Sequence, residues 1–193
     1  MIVTLFVIAV SILAVYSTTA ASEYSLKKDD IQIQSLTYLL KSMNWLNDYE
    51  EQKLGKIILQ AQIDNMNITL QSNNNNNLTT SGATHKQANY YIHKYKSYID
   101  TLNSDKAVEG SLANLQHKVE MEDSAYEKSL VNISETSKII TTYELITILL
   151  IVGAGLGGTS EIIKSKLIGY SGLAIGSIGV IILLLFLFMG VTV

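Results

Sequence analysis

Three apolar stretches organise the chain. The first covers residues 1–22, with a core from Ile2 to Val10 that continues through Ile12, Leu13, Ala14 and Val15. The second covers residues 139–160 and is interrupted by Glu144. The third, residues 167–193, carries no charge at all. A helix needs about 20 apolar residues to cross a hydrocarbon core. The third stretch meets this outright, and the second meets it with Glu144 near one interface. Only residues 161–166 connect them, so the pair is predicted to form a helical hairpin. The first stretch ends in Ser17-Thr18-Thr19-Ala20-Ala21-Ser22. An apolar run closed by small residues is the pattern of a secretory leader, with cleavage after Ala20 or Ala21. No cation precedes it, and an uncleaved N-terminal anchor helix is the alternative.

Between these stretches the period changes. Apolar residues step by three and four at Ile33, Leu36, Leu40, Met43, Leu54, Ile57, Ala61 and Ile68, with Asn47, Glu50 and Asp64 at polar seam positions. That is the heptad of a helix packed on a helix, within one chain or between chains. Trp45 lies off this seam. Asn, Ser and Gly crowd residues 71–82, which predicts a loop. A second helix is expected from Thr84 or His85, with Ala88, Tyr91, Tyr95, Tyr98 and Leu102 on one face and Ile92 and Ile99 beside them. The tyrosines suit a packing stripe whose hydroxyls reach solvent, or a surface for headgroups or glycans. Asn103-Ser104-Asp105 marks a break. Val108, Leu112, Leu115, Val119 and Tyr126 then resume the seam, which passes through Leu130, Ile133 and Ile140 into the second apolar stretch. The fold class is therefore all-α: a coiled-coil-like helical body, residues 22–138, followed by a two-helix transmembrane hairpin.

Charge sets an orientation. Lys164 and Lys166 in the short 161–166 loop favour the cytoplasmic side. The body and Val193 then lie outside. Three N-x-S/T sequons, at Asn67, Asn77 and Asn132, all fall in that exterior part and are candidate glycosylation sites.

Composition narrows the chemistry. All 14 cations are Lys, there is no Arg, Pro or Cys, and the net charge is −3. Hydrophobic residues make up 48% and charged residues 16%, so mean hydropathy is positive. Without Cys there is no disulfide, thiolate site or Cys nucleophile. Without clustered cations there is no basis for nucleic-acid binding. His85, His93 and His117 lack the i, i+4 spacing of a helical metal site. No catalytic constellation is visible, and neither an enzyme activity, a metal nor a cofactor is expected. Gly153-Ala154-Gly155-Leu156-Gly157-Gly158 contains G-x-G-x-x-G, but no acidic residue follows Glu161 to bind a ribose and too little polar chain remains for a βαβ unit. The glycines have another use. Gly153 and Gly157 are four apart, as are Gly172 and Gly176, the spacing that lets transmembrane helices approach closely. Glu144 is the one ionisable group within an apolar stretch, and its protonation would ease insertion in an acidic medium.

The leader, the helical exterior body and the glycine-rich hairpin together resemble the α-helical pore-forming toxins. The hairpin, residues 145–158 and 167–190, resembles that of colicins. Abundant Ile, Asn, Ser and Tyr, few charges, and sequons without cysteines are similar to secreted proteins of thermoacidophilic archaea. Joined, these features resemble the sulfolobicins, a family of membrane- and vesicle-associated antimicrobial proteins. The resemblance is one of layout and composition, and no family residue is carried over. It implies a secreted, membrane- or vesicle-associated, bacteriocin-like protein that perturbs the membranes of related cells. The alternative is a membrane-anchored structural or adhesion protein of a cell surface or virion envelope. Both readings expect the lipid bilayer as partner, together with self-association or a related helical protein.

Overall fold

The computed structural model describes residues 2–75 and 82–189. The fold is all-α. Four helices follow in order among the described residues: α1 (Ile2–Asn75), α2 (Gly82–Leu102), α3 (Leu112–Ile163) and α4 (Lys166–Phe188).

Two expected boundaries move. The polar run after the first apolar stretch does not end a helix, because α1 passes through it. The hydroxyls there have local partners: Thr18 Oγ1 donates to Ala14 O at 2.9 Å and Thr19 Oγ1 to Val15 O at 3.0 Å. Such bonds occupy Ser and Thr within the helix instead of competing with it. Gln71 to Asn75, expected in the loop, also remain helical. Extending an existing helix adds one backbone bond per residue, which outweighs a weak propensity. The rest of the 71–82 segment up to Ser81 lies outside the described residues, and α2 begins at Gly82.

The chain divides into two compact units, residues Met1–Ser35 with Lys128–Val193, and residues Leu36–Glu127. In the second unit, Ile63, Ile92 and Ile99 form the buried cluster, with Leu59, Met66, Leu70 and Tyr95 packed against it. α2 thus lies on α1, and Tyr98 donates its hydroxyl to Gln52 Oε1 at 3.0 Å. The centre of the α2 face is Ile92, Ile99 and Leu102, all buried, while Tyr91 and Tyr98 flank it. α3 lies on the same helix: the Ser42 hydroxyl bonds the Asp123 carboxylate, and Lys118 Nζ sits 4.2 Å from the Trp45 ring centroid.

Residues 103–111 join α2 to α3. Gly110 has φ +79°, a left-handed conformation that disfavours other residues. Ser111 Oγ then accepts the Asn114 N–H at 3.1 Å, capping the first turn of α3. Replacing Ser111 by Ala is expected to cost about 1 kcal/mol of body stability, measurable as a lowered midpoint in thermal unfolding.

The heptad row of α1 is not the contact made within the chain. Within the second unit, α1 meets α2 and α3 through Ser42, Trp45, Gln52, Leu59 and Ile63. Leu36, Leu40, Met43, Leu54, Ile57 and Ile68 are instead 58–63% exposed. Trp45, off the seam, sits on the occupied face.

Candidate functional site: a glycine-packed bundle of apolar helices

The first unit is built from the N-terminal part of α1, the C-terminal part of α3 and all of α4. Lys164 (φ +56°) and Ser165 make the turn between α3 and α4. The hairpin closes on glycine. A Cβ placed on Gly153 would lie 2.5 Å from Gly176 Cα and 2.6 Å from its nitrogen. One placed on Gly172 would lie 2.7 Å from the Gly157 nitrogen and 2.9 Å from Gly153 O. Only hydrogen fits there, and the two backbones are in contact. The four glycines singled out by spacing therefore meet in one place.

The same surface receives α1. A Cβ on Gly157 would stand 2.8 Å from Val7 Cγ2, and one on Gly176 would stand 2.9 Å from Phe6 Cζ. Each glycine notch thus serves two neighbours, the facing hairpin helix and a side chain of the N-terminal stretch. Further along, Val10, Ala14, Ala20, Tyr24, Tyr143, Ile146, Leu150 and Leu183 form one buried cluster. Tyr143, with no exposed surface, is its hub. It stacks on Tyr24 of α1 (centroids 5.9 Å) and meets Phe186 of α4 edge-on (5.2 Å). Ser17, also fully buried, donates its hydroxyl to the Tyr143 carbonyl at 2.9 Å. At the end near the turn, Thr4 Oγ1 donates to Glu161 Oε1 at 2.7 Å.

The outer surface of this bundle is apolar. Leu5, Ile8 and Ile12 on α1, Ile148 and Ile151 on α3, and Ile181, Leu184 and Leu185 on α4 are all more than half exposed. The glycine contacts and Ser17 thus lie inside with a few large side chains around Tyr143, and a continuous set of large aliphatic side chains faces outward. In water this would leave a hydrophobic surface uncovered, whereas in lipid close packing through small residues is the usual basis of helix association.

The remaining sequence candidates are dispersed. Glu144, next to buried Tyr143, is exposed. Asn67 and Asn132 are exposed on α1 and α3, while Asn77 lies outside the described residues. His93 and His117 are exposed and His85 is half-buried. Among the described residues no three His, Cys, Asp or Glu side chains gather as metal ligands. An open cleft of about 520 Å³ beside the α3–α4 turn is lined in part by Glu161, Lys164, Lys166 and Tyr170.

Several contributors escape a pairwise reading of small residues. Gly169 meets Ser160 and Gly179 meets Leu149 and Leu150, so α4 presents Gly169, Gly172, Gly176 and Gly179 on one face. Their three–four–three spacing is the signal that finds all four. Phe6, Val7, Ser17 and Tyr143 carry no such signal, because their role depends on α1 lying against the hairpin.

Fold and surface together define the class: a helical protein with, among the described residues, three helices long and apolar enough to cross a membrane. No protein-family model, curated protein or solved structure matches the chain.

Proposed function

We propose that the protein is a membrane-anchored structural or adhesion protein. Its first apolar stretch stays with the chain as a third spanning helix, and its 36–127 body serves assembly or attachment on the exterior. The observation that carries this reading is the fit of Phe6 and Val7 against Gly176 and Gly157. Cleavage after Ala20 or Ala21 would remove Val10, Ala14 and Ala20 from the buried cluster and leave the glycine notches open. Three spans place the N-terminus and the 161–166 turn on one side, consistent with Thr4 bonding Glu161. Lys164 and Lys166 favour the cytoplasm for that side, which puts the body and the sequons at Asn67, Asn77 and Asn132 outside. Neither catalysis nor a cofactor belongs to this role.

Alkaline carbonate extraction of cells, followed by protease treatment of intact cells, tests the anchored topology. The chain is expected in the carbonate-resistant membrane, with residues 36–127 cut from outside. Extraction of the chain into the carbonate supernatant would overturn the reading.

The antimicrobial reading remains a second proposal. It is favoured by Gly155 and Gly158, whose outer faces meet nothing within 4 Å and leave small-residue surface for another helix. Vesicles from expressing and deletion strains spotted on lawns of related cells separate the two: inhibition zones lost with the gene support a weapon, and unchanged zones defeat it.

A further inference from the structure

We propose that the open heptad face of α1 is the docking surface for α1 of a second copy, joined in parallel and in register. The proposal deepens the membrane-anchored reading and takes its direction from it: two chains inserted the same way into one bilayer carry α1 the same way.

The sequence positions fall in strict sevens. Leu40, Asn47, Leu54, Ala61 and Ile68 share one heptad position. Leu36, Met43, Glu50, Ile57 and Asp64 occupy the position three residues on. At about 100° per residue, this row lies some 160° around the helix from Ser42, Trp45, Gln52, Leu59 and Ile63, which hold α2 and α3. Over residues 36–68 of α1, one face is therefore occupied and the opposite one is exposed among the described residues.

A second copy fits this face better than an unrelated partner for three reasons. A two-stranded coiled coil requires the same apolar repeat on both helices, and identical chains supply it. A single Asn at the first heptad position aligns with its own counterpart in a parallel pair and fixes register, and Asn47 stands there with Leu40 and Leu54 one heptad to either side. Exposed Leu46 and Ile58, at the flanking positions, widen the apolar face. The area is also sufficient. Six large side chains about 60% exposed, with Leu46 and Ile58, would remove on the order of 800 Å² per chain, the share of one partner in a standard-sized interface. A closed two-fold pair is also the commonest arrangement of identical chains.

Two seam positions oppose pairing. Glu50 and Asp64 would each meet their own counterpart. Both have local compensation: Lys53 Nζ lies 3.6 Å from Glu50 Oε1, and Gln60 Nε2 donates to Asp64 Oδ1 at 3.0 Å. Their presence predicts that Glu50→Leu tightens association.

The chain has no cysteine, so single cysteines report the contact directly in the full-length, membrane-inserted protein. Leu40→Cys, Asn47→Cys and Leu54→Cys are expected to form disulfide-linked dimers under mild oxidation, several-fold more than Asp48→Cys, which points about 100° away. Equal linkage at all four positions, or none at the first three, overturns the proposal. So does a trimer as the dominant species when the wild type is linked through its lysines. Carbonate extraction of the same samples separates the two readings. Seam-specific dimers that wash off the membrane leave the pairing standing and defeat the anchor, whereas membrane-resistant chains without seam-specific dimers do the reverse. A double Leu40→Asp, Leu54→Asp variant with unchanged helical circular dichroism is expected to be monomeric in detergent, and a persistent dimer counts against this face.

Discussion

Gly153→Ala is expected to open the hairpin, while Gly155→Ala, two residues away, is expected to be tolerated or mildly stabilising. The two sites have the same residue type, the same helix and the same apolar setting. They differ in what a methyl group meets. At Gly153 it runs into the Gly176 backbone at 2.5 Å, and backbone cannot rotate aside. At Gly155 it meets nothing within 4 Å. Overpacking of this kind costs about 1–3 kcal/mol, and a larger residue such as Leu should cost more, because α3 and α4 must separate along several turns. At the open site, removing glycine from a helix interior gains about 0.5–1 kcal/mol. Unfolding in mild detergent titrated with a denaturing detergent reads both. The midpoint should fall for Gly153→Ala and hold or rise for Gly155→Ala. Gly172→Ala should behave as Gly153→Ala, and Gly158→Ala as Gly155→Ala.

Tyr143→Ala is expected to have the other large effect, a loss of about 3–5 kcal/mol, the range for deleting a buried aromatic. Tyr143 is fully buried and touches aromatic rings of both other helices, Tyr24 and Phe186. Its removal leaves a cavity where three helices converge, and a helix-packed bundle relaxes into such a space only in part. The same detergent titration reads it. Ser17→Ala is the companion test. It deletes one buried hydroxyl and its bond to the Tyr143 carbonyl, which in membrane proteins averages only about 0.6 kcal/mol. A large gap between the two variants would show that packing, rather than the polar link, joins α1 to the hairpin.

Much of this is written in the order of residues. Apolar length and bilayer thickness mark the stretches 139–160 and 167–193 as long enough to span, and four-residue spacing marks Gly153, Gly157, Gly172 and Gly176 as close-approach points. The heptad row of α1 is equally plain in sequence, yet periodicity cannot say which helix covers a seam. Here the intrachain partners lie on the opposite face, through Trp45 and Ile63, residues that belong to no strong pattern. Ser17-Thr18-Thr19 resembles the end of a leader because small polar residues favour breaks, but the Thr18 and Thr19 hydroxyls bond the preceding turn, the Ser17 hydroxyl bonds the Tyr143 carbonyl, and the helix runs on. The contacts of Phe6 and Val7 depend on a fold that returns residues 150 and more positions away, which no local pattern encodes.

The central claim is that the first apolar stretch is part of the folded membrane bundle. It is tested most directly by peptide mass mapping of the chain recovered from carbonate-washed membranes. Because the first lysine is Lys27, cleavage at lysine gives one N-terminal peptide that holds the whole stretch. The account predicts a membrane-resident chain that carries Phe6, Val7, Val10 and Ser17 in that peptide. A mature chain beginning at Ala21 or Ser22 would contradict it.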